Sequence, residues 1–259
     1  MQRVVSFASP AVFASSRFLL AVVVTATFAL NHQLVAQEKD ADEKQVAKPT
    51  DKADDPHFGW PLVVDENFST GASHWKPNDP SGWKLFDIDG GKAFGLTTKA
   101  SKYRPKYRSP FNVAILKDVV VGDCVLEVKV QSTTKEYAHR DVCLVFGYQN
   151  PQRFYYTHFA SRMDPHANQI FIVNDAERTK ISEKTSDGVK WTDDWHHIKI
   201  VRKVDDGLIE AYFDDLQTPI MTAHDKTFSW GQIGIGTFDD TARYSEVKLW
   251  GNEVKSAEP

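Results

Sequence analysis

The stretch that most constrains this chain is HRDVCLVFGYQNPQRFYYTHF, residues 139–159. Two runs that alternate in hydrophobicity flank Gln149-Asn150-Pro151-Gln152, a turn-forming cluster with proline where no ladder N–H is needed. Pairing the runs through that turn places residues whose numbers sum to about 301 opposite each other. Strand side chains alternate between faces, so one face carries Val142, Leu144, Phe146, Tyr155, Thr157 and Phe159. The opposite face carries Asp141, Cys143, Val145, Gly147, Tyr156 and His158. The first set reads as core, and the second as a mixed polar and aromatic surface.

The rest of the chain repeats that pattern from Phe58 to Asn252. Short strand-like runs recur with turn signals between them, among them Asp89-Gly90-Gly91 and Asp205-Asp206-Gly207, and no amphipathic helix stands out. Many short strands at regular spacing predict an all-β fold, a two-sheet antiparallel β-sandwich or a barrel. The Trp residues at strand starts or ends read as packing, whereas Trp75, Trp191 and Tyr103 fall in predicted loops and are stacking candidates.

The N-terminal region has a different character. Arg3 and Arg17 precede an apolar run, Phe18–Leu30, and Ala36 offers a small residue for cleavage. That is the form of a secretory signal over residues 1–36, with an uncleaved anchor as the alternative. Residues 37–57 are charged and almost free of large apolar groups, and so predict a flexible linker. Residues 58–252 then form the domain and 253–259 a tail. The expected location is secreted or periplasmic, with no membrane contact after cleavage. A formal net charge of −4 with dispersed Lys and Arg gives no nucleic-acid footprint.

The order of these signals resembles the concanavalin A-like and laminin-G-like jelly-roll superfamily. The blocks that carry the resemblance are VLEVKV, VCLVFGYQNPQRFYYTHF, WHHIKIVRKVDDGLIEAYFDD and WGQIGIGTFDDTARYSEVKLWG. Within it the chain is most similar to the carbohydrate-binding modules found beside fructan-degrading enzymes and to 3-keto-disaccharide hydrolase domains. The resemblance implies a jelly-roll sandwich and a poly- or oligosaccharide partner. A glycoside hydrolase or lyase and a laminin-G-like adhesion module are the alternatives, since one fold hosts many functions.

Candidate residues follow from the registers. Pairing Asp123–Gln131 with the 142–148 run at sums near about 272 puts Glu127, Lys129 and Gln131 on one surface with Asp141, Tyr156 and His158. Such a surface suits a sugar, with a ring for C–H faces and polar groups for hydroxyls, but also fits an ordinary solvated sheet face. Arg162, His166 and Asn168, in the loop after it, and Asn174 and Arg178 beyond it are placed to complete a cleft. Catalytic candidates are Asp141, His139 and His158, since histidine suits acid–base work near neutral pH. Glu127 is followed by Val128-Lys129-Val130, so the E-x-D-x-x-E strand of the related glucanases is absent. A structural calcium ion, implied by the resemblance, would use Asp65 and Glu66 with Asp239 and Asp240. In this register Cys124 and Cys143 point to opposite sides, which predicts free thiols, with a disulfide as the alternative if the pairing differs.

Overall fold

The alternation of Cys124, Leu126, Val128 and Val130 with Val125, Glu127, Lys129 and Gln131 builds the longest strand of the first half of the chain. In the computed structural model, which describes residues 55–254, sixteen strands are present among the described residues. In chain order they begin with β1 (Leu62–Glu66), β2 (Trp75–Pro77), β3 (Trp83–Ile88), β4 (Gly91–Leu96) and β5 (Asn112–Leu116). Next come β6 (Val121–Ser132), β7 (Asp141–Asn150), β8 (Arg153–Ala160), β9 (Gln169–Asn174), β10 (Thr179–Lys180) and β11 (Lys184–Thr185). The last are β12 (His196–Arg202), β13 (Leu208–Phe213), β14 (Met221–His224), β15 (Gln232–Thr237) and β16 (Ala242–Glu253). The expected leader, most of the linker and the end of the tail lie outside the described residues.

The strands form two antiparallel sheets, as the sequence predicts. One runs β11-β14-β13-β12-β6-β16-β4-β3, with β1 also on β16; the other runs β10-β9-β8-β7-β15-β5-β2. Their inner faces meet in one core containing Leu126, Val128, Val142, Leu144, Phe146, Tyr155, Phe159, Ile198, Ile200 and Leu249. Full burial of each such side chain contributes about 1.5–3 kcal/mol, which makes this layer the main source of stability.

The central hairpin forms in the predicted register. Asp141 pairs with Ala160 and Phe146 with Tyr155, before a shift that leaves Asn150 opposite Arg153. The shift falls at Gly147, whose φ is +56°, a conformation that glycine adopts without strain. Gly231 abuts the same point: a Cβ there would lie 2.1 Å from the Gly147 carbonyl carbon. Trp75, expected in a loop, starts β2 and is buried in the core.

The pairing of β6 with β7 is corrected. β6 lies between β12 and β16 in the first sheet, whereas β7 lies between β8 and β15 in the second. Both strands bury one face, and that shared pattern fits strands facing each other across a core as well as neighbours in a sheet. Residues 133–140 make the crossing. Cys124 therefore faces the core while Cys143 faces outward from the second sheet, and both are free thiols.

Candidate functional site

The crossing separates the residues expected on one surface. Glu127, Lys129 and Gln131 lie on the outer face of the first sheet, on the far side of the sandwich from Asp141, Tyr156 and His158. Glu127 sits 3.2 Å from His57 and 3.5 Å from His197, with the His57 ring stacked on Trp250. Burial raises the Glu127 carboxyl, but the hydrogen bonds from His197 and His57 outweigh it and hold the group below its usual range. Lys129 pairs with Glu246 at 3.1 Å.

The outer face of the second sheet is not an open sugar platform. Val113, Ile115, Cys143, Val145, Phe154, Tyr156, Phe171, Val173 and Phe238 form a second buried cluster there, against which Tyr107 and Phe111 pack. Arg178 roofs Tyr156: its Nη1 donates to the Tyr156 hydroxyl at 2.6 Å, and its guanidinium lies 4.5 Å from the Phe171 ring centroid. Tyr156 is thus a core residue of this face and is not available for stacking. His158 and Asp141 are buried beside it. Asp141 Oδ1 accepts from the Phe238 N–H at 2.7 Å.

The neighbouring loop is likewise structural in part. Asn168 is buried at a φ of +53°, and its Nδ2 donates to Thr185 and Ser186. The His166 backbone carbonyl accepts from His158 Nδ1 at 3.1 Å, while its side chain stays at the surface. His139 Nε2 donates to Asp164 at 2.7 Å. Asn174 is exposed at the end of β9.

The four acids expected to hold calcium do not converge. Glu66 pairs with Val247 on β16, seven residues along from Asp240, which is roughly 20 Å of extended chain. Asp240 is also satisfied internally. Lys99 Nζ lies 2.7 Å and the Tyr137 hydroxyl 3.0 Å from Oδ1, and the Asp141 N–H donates to Oδ2 at 2.8 Å. These residues do not fit the ion as a set. Asp239 and Asp240 instead approach Asp141, and burial together with the Asp141 charge raises the carboxyls of both.

An open groove lies where the chain crosses between sheets. It has a volume of about 1,090 Å³ and runs between residues 132–136 and 187–193, lined by Thr133, Glu136, Asp187, Lys190, Asp193 and Arg243 among others. Arg140 holds its two walls together. Only 2% exposed, its guanidinium donates to Ser132 Oγ at 3.0 Å, Ser132 O at 2.9 Å and Thr192 O at 2.6 Å. It also reaches Glu136 at 3.3 Å and Asp193 at 3.2 Å. Gln131 adds a bond from Nε2 to Asp193 O at 2.7 Å, so this one expected binding residue does border the groove. Trp191 braces the far wall from inside: it is buried, and its Nε1 donates to Phe159 O at 3.2 Å.

The 133–137 loop separates this groove from a second hollow of about 600 Å³, lined by Lys99, Tyr137, Asp239 and Thr241. Tyr137 stands on that loop, 40% exposed. Its hydroxyl is tied to Asp240, and Lys99 Nζ lies 5.0 Å from its ring centroid. Burial and the Asp240 charge push its phenol above the usual range, so it stays neutral. Tyr137 and Arg140 are the residues that strand-face reasoning missed. The available signal was a lone aromatic within the polar crossing Thr133-Thr-Lys-Glu-Tyr-Ala-His139.

Fold and registers together define a two-sheet antiparallel β-sandwich of the jelly-roll, concanavalin A-like class. Among solved structures, the chain is similar to a Bacillus subtilis protein of unknown function with a galectin-like fold. That match has a TM-score of 0.50 and 10% identity, and covers 75% of this chain and 97% of the other. It is also similar to the carbohydrate-binding module CBM66 from Bacillus subtilis, at a TM-score of 0.48 and 18% identity over 69% and 96% of the two chains. Winged bean acidic lectin, solved with methyl-α-D-galactose, gives 0.46 and 10% over 73% and 97%. Neither a protein-family model nor a curated protein matches the sequence. Among the described residues, no helix is long and apolar enough to cross a membrane.

Proposed function

We propose that this protein is a carbohydrate-binding β-sandwich that takes a poly- or oligosaccharide along the crossing groove and across the 133–137 loop into the adjoining hollow, where Tyr137 is the stacking ring. The observation that carries this reading is the groove itself. Its walls offer hydroxyl, carboxylate and ammonium groups from Thr133, Glu136, Asp187, Lys190 and Asp193, on two segments that the buried Arg140 ties together through Ser132 and Thr192. Sugar hydroxyls need paired donors and acceptors in a preset arrangement, and an exposed aromatic ring supplies the apolar contact. Tyr137, tethered through its hydroxyl, gives up little conformational freedom when it stacks.

Binding is favoured over turnover because the acid–base candidates are poorly placed for a substrate. Asp141 and His158 are buried, and His139 is engaged with Asp164. In this reading the chain acts outside the cytoplasm after removal of the leader expected at residues 1–36. A glycan-array screen of the full chain, with each hit checked for new products by mass spectrometry, tests the proposal. Retained glycans without products support it. Released products would replace it with a glycosidase or lyase, and an empty array would favour a protein-interaction module.

A further inference from the structure

Three residues on the covered face of the second sheet combine donors of different chemistry. Asp141 and Cys143 are two apart on β7 and share its outer face, and His158 on β8 is directly opposite Cys143. One donor atom from each lies within 4.8 Å of the others. The residues are 1%, 0% and 4% exposed, respectively.

Two of their polar atoms, Asp141 Oδ2 and His158 Nε2, have no hydrogen-bond partner. The pairing of the other ring nitrogen sharpens this observation. His158 Nδ1 lies 3.1 Å from the His166 carbonyl, which can only accept, so Nδ1 carries the hydrogen. In the neutral ring, Nε2 then presents a bare lone pair 3.6 Å from Asp141 Oδ1. A lone pair and a carboxylate oxygen repel one another unless a cation lies between them. A backbone carbonyl on the far nitrogen is also the arrangement that orients metal-binding histidines.

The spacing suits a small tetrahedral ion. With usual zinc bond lengths, the N···O edge of the tetrahedron is about 3.3 Å and the S···O edge about 3.5 Å. The corresponding separations here are 3.6 Å for His158 Nε2 to Asp141 Oδ1 and 3.7 Å for Cys143 Sγ to the same oxygen. A thiolate–imidazole–carboxylate set selects zinc, whereas calcium takes oxygen ligands alone.

We infer that Asp141, Cys143 and His158 form a structural zinc site, with Asp239 as the fourth donor. A carboxylate oxygen of Asp239 lies within 4.8 Å of one on Asp141. The ion would tie β7 and β8 to the segment between β15 and β16, beneath Arg178 and Phe238. Because Asp141, Cys143 and His158 are buried, zinc enters as the chain folds and the Cys143 thiol binds as thiolate with loss of its proton.

The test is to express the full chain with zinc and, separately, to refold chelator-stripped chain with zinc or with cobalt. The inference predicts about one zinc per chain by mass spectrometry of the metal and a thiolate-to-cobalt charge-transfer band in the near ultraviolet. Cys143→Ser should abolish that band and Cys124→Ser should keep it. Should Cys143→Ser fail to fold, Asp239→Asn on the exposed loop serves instead, with zinc affinity lowered about tenfold. Zinc at background level with no cobalt band would overturn the inference. A band that survives Cys143→Ser, or zinc affinity unchanged by Asp239→Asn, would also count against the proposed ligand set.

Discussion

Replacing Arg140 with methionine tests whether one buried guanidinium assembles the groove. Methionine fills much of the volume of the aliphatic stem but supplies no donor. The Ser132 and Thr192 carbonyls then lose their partner, and Ser132 Oγ loses another. Each unsatisfied buried acceptor costs about 1–3 kcal/mol. The Glu136 and Asp193 ion pairs add little, since both carboxylates are largely exposed, at 61% and 98%. The expected loss is about 3–5 kcal/mol, which in a domain of this size lowers Tm by roughly 10 °C or more. Thermal unfolding followed by circular dichroism measures it, and glycan retention should fall with it because both walls loosen. A variant melting within about 2 °C of the parent would refute the assignment of Arg140 as the clamp.

Three further outcomes follow from the geometry. Gly236→Ala places a Cβ 2.1 Å from the Asn112 carbonyl oxygen between β5 and β15, and should cost about 3 kcal/mol or more, seen as insoluble chain or a steep fall in urea midpoint. Tyr155→Phe removes a hydroxyl that donates to Asp225 and accepts from the Phe228 N–H, and should cost about 1–3 kcal/mol at neutral pH by denaturant titration. That penalty should depend on pH. Burial raises the Asp225 carboxyl, but bonds from Tyr155 and Thr227 outweigh it, leaving the group below its ordinary 3.8. Its stabilisation is therefore present above 3.8 and lost as pH falls through the folded value, so the mutant and parent curves should converge in acid.

Strand positions and facing were largely legible because alternation reports which side of a strand is buried. The 142–146 and 155–159 runs carry that signal on both arms of a hairpin whose turn fixes the register. Which sheet each strand joins was not legible. Val125-Leu-Glu-Val-Lys-Val130 and Val142-Cys-Leu-Val-Phe146 read alike whether neighbours or opposed, and the eight residues between them cross the sandwich instead of forming a hairpin. That one crossing moved Glu127 and Lys129 away from Asp141 and His158. Tyr156 shows a second limit, since its outward direction was foreseeable but its roof of Arg178 and Phe238 comes from loops distant in sequence. Side-chain clamps such as Arg140 leave no periodic trace at all.

The most direct test of the groove is paired titration calorimetry of the full chain and Tyr137→Ala against the glycan best retained on the array. Tyr137 is 40% exposed and Lys99 remains on Asp240 Oδ1, so the substitution should cost at most about 1–2 kcal/mol, leaving the chain fully folded at the assay temperature, while losing its stacking contact. The account predicts binding weakened by about 1.4 kcal/mol, roughly tenfold in Kd. Equal affinity in the two proteins, with both fully folded, would place the glycan elsewhere and contradict it.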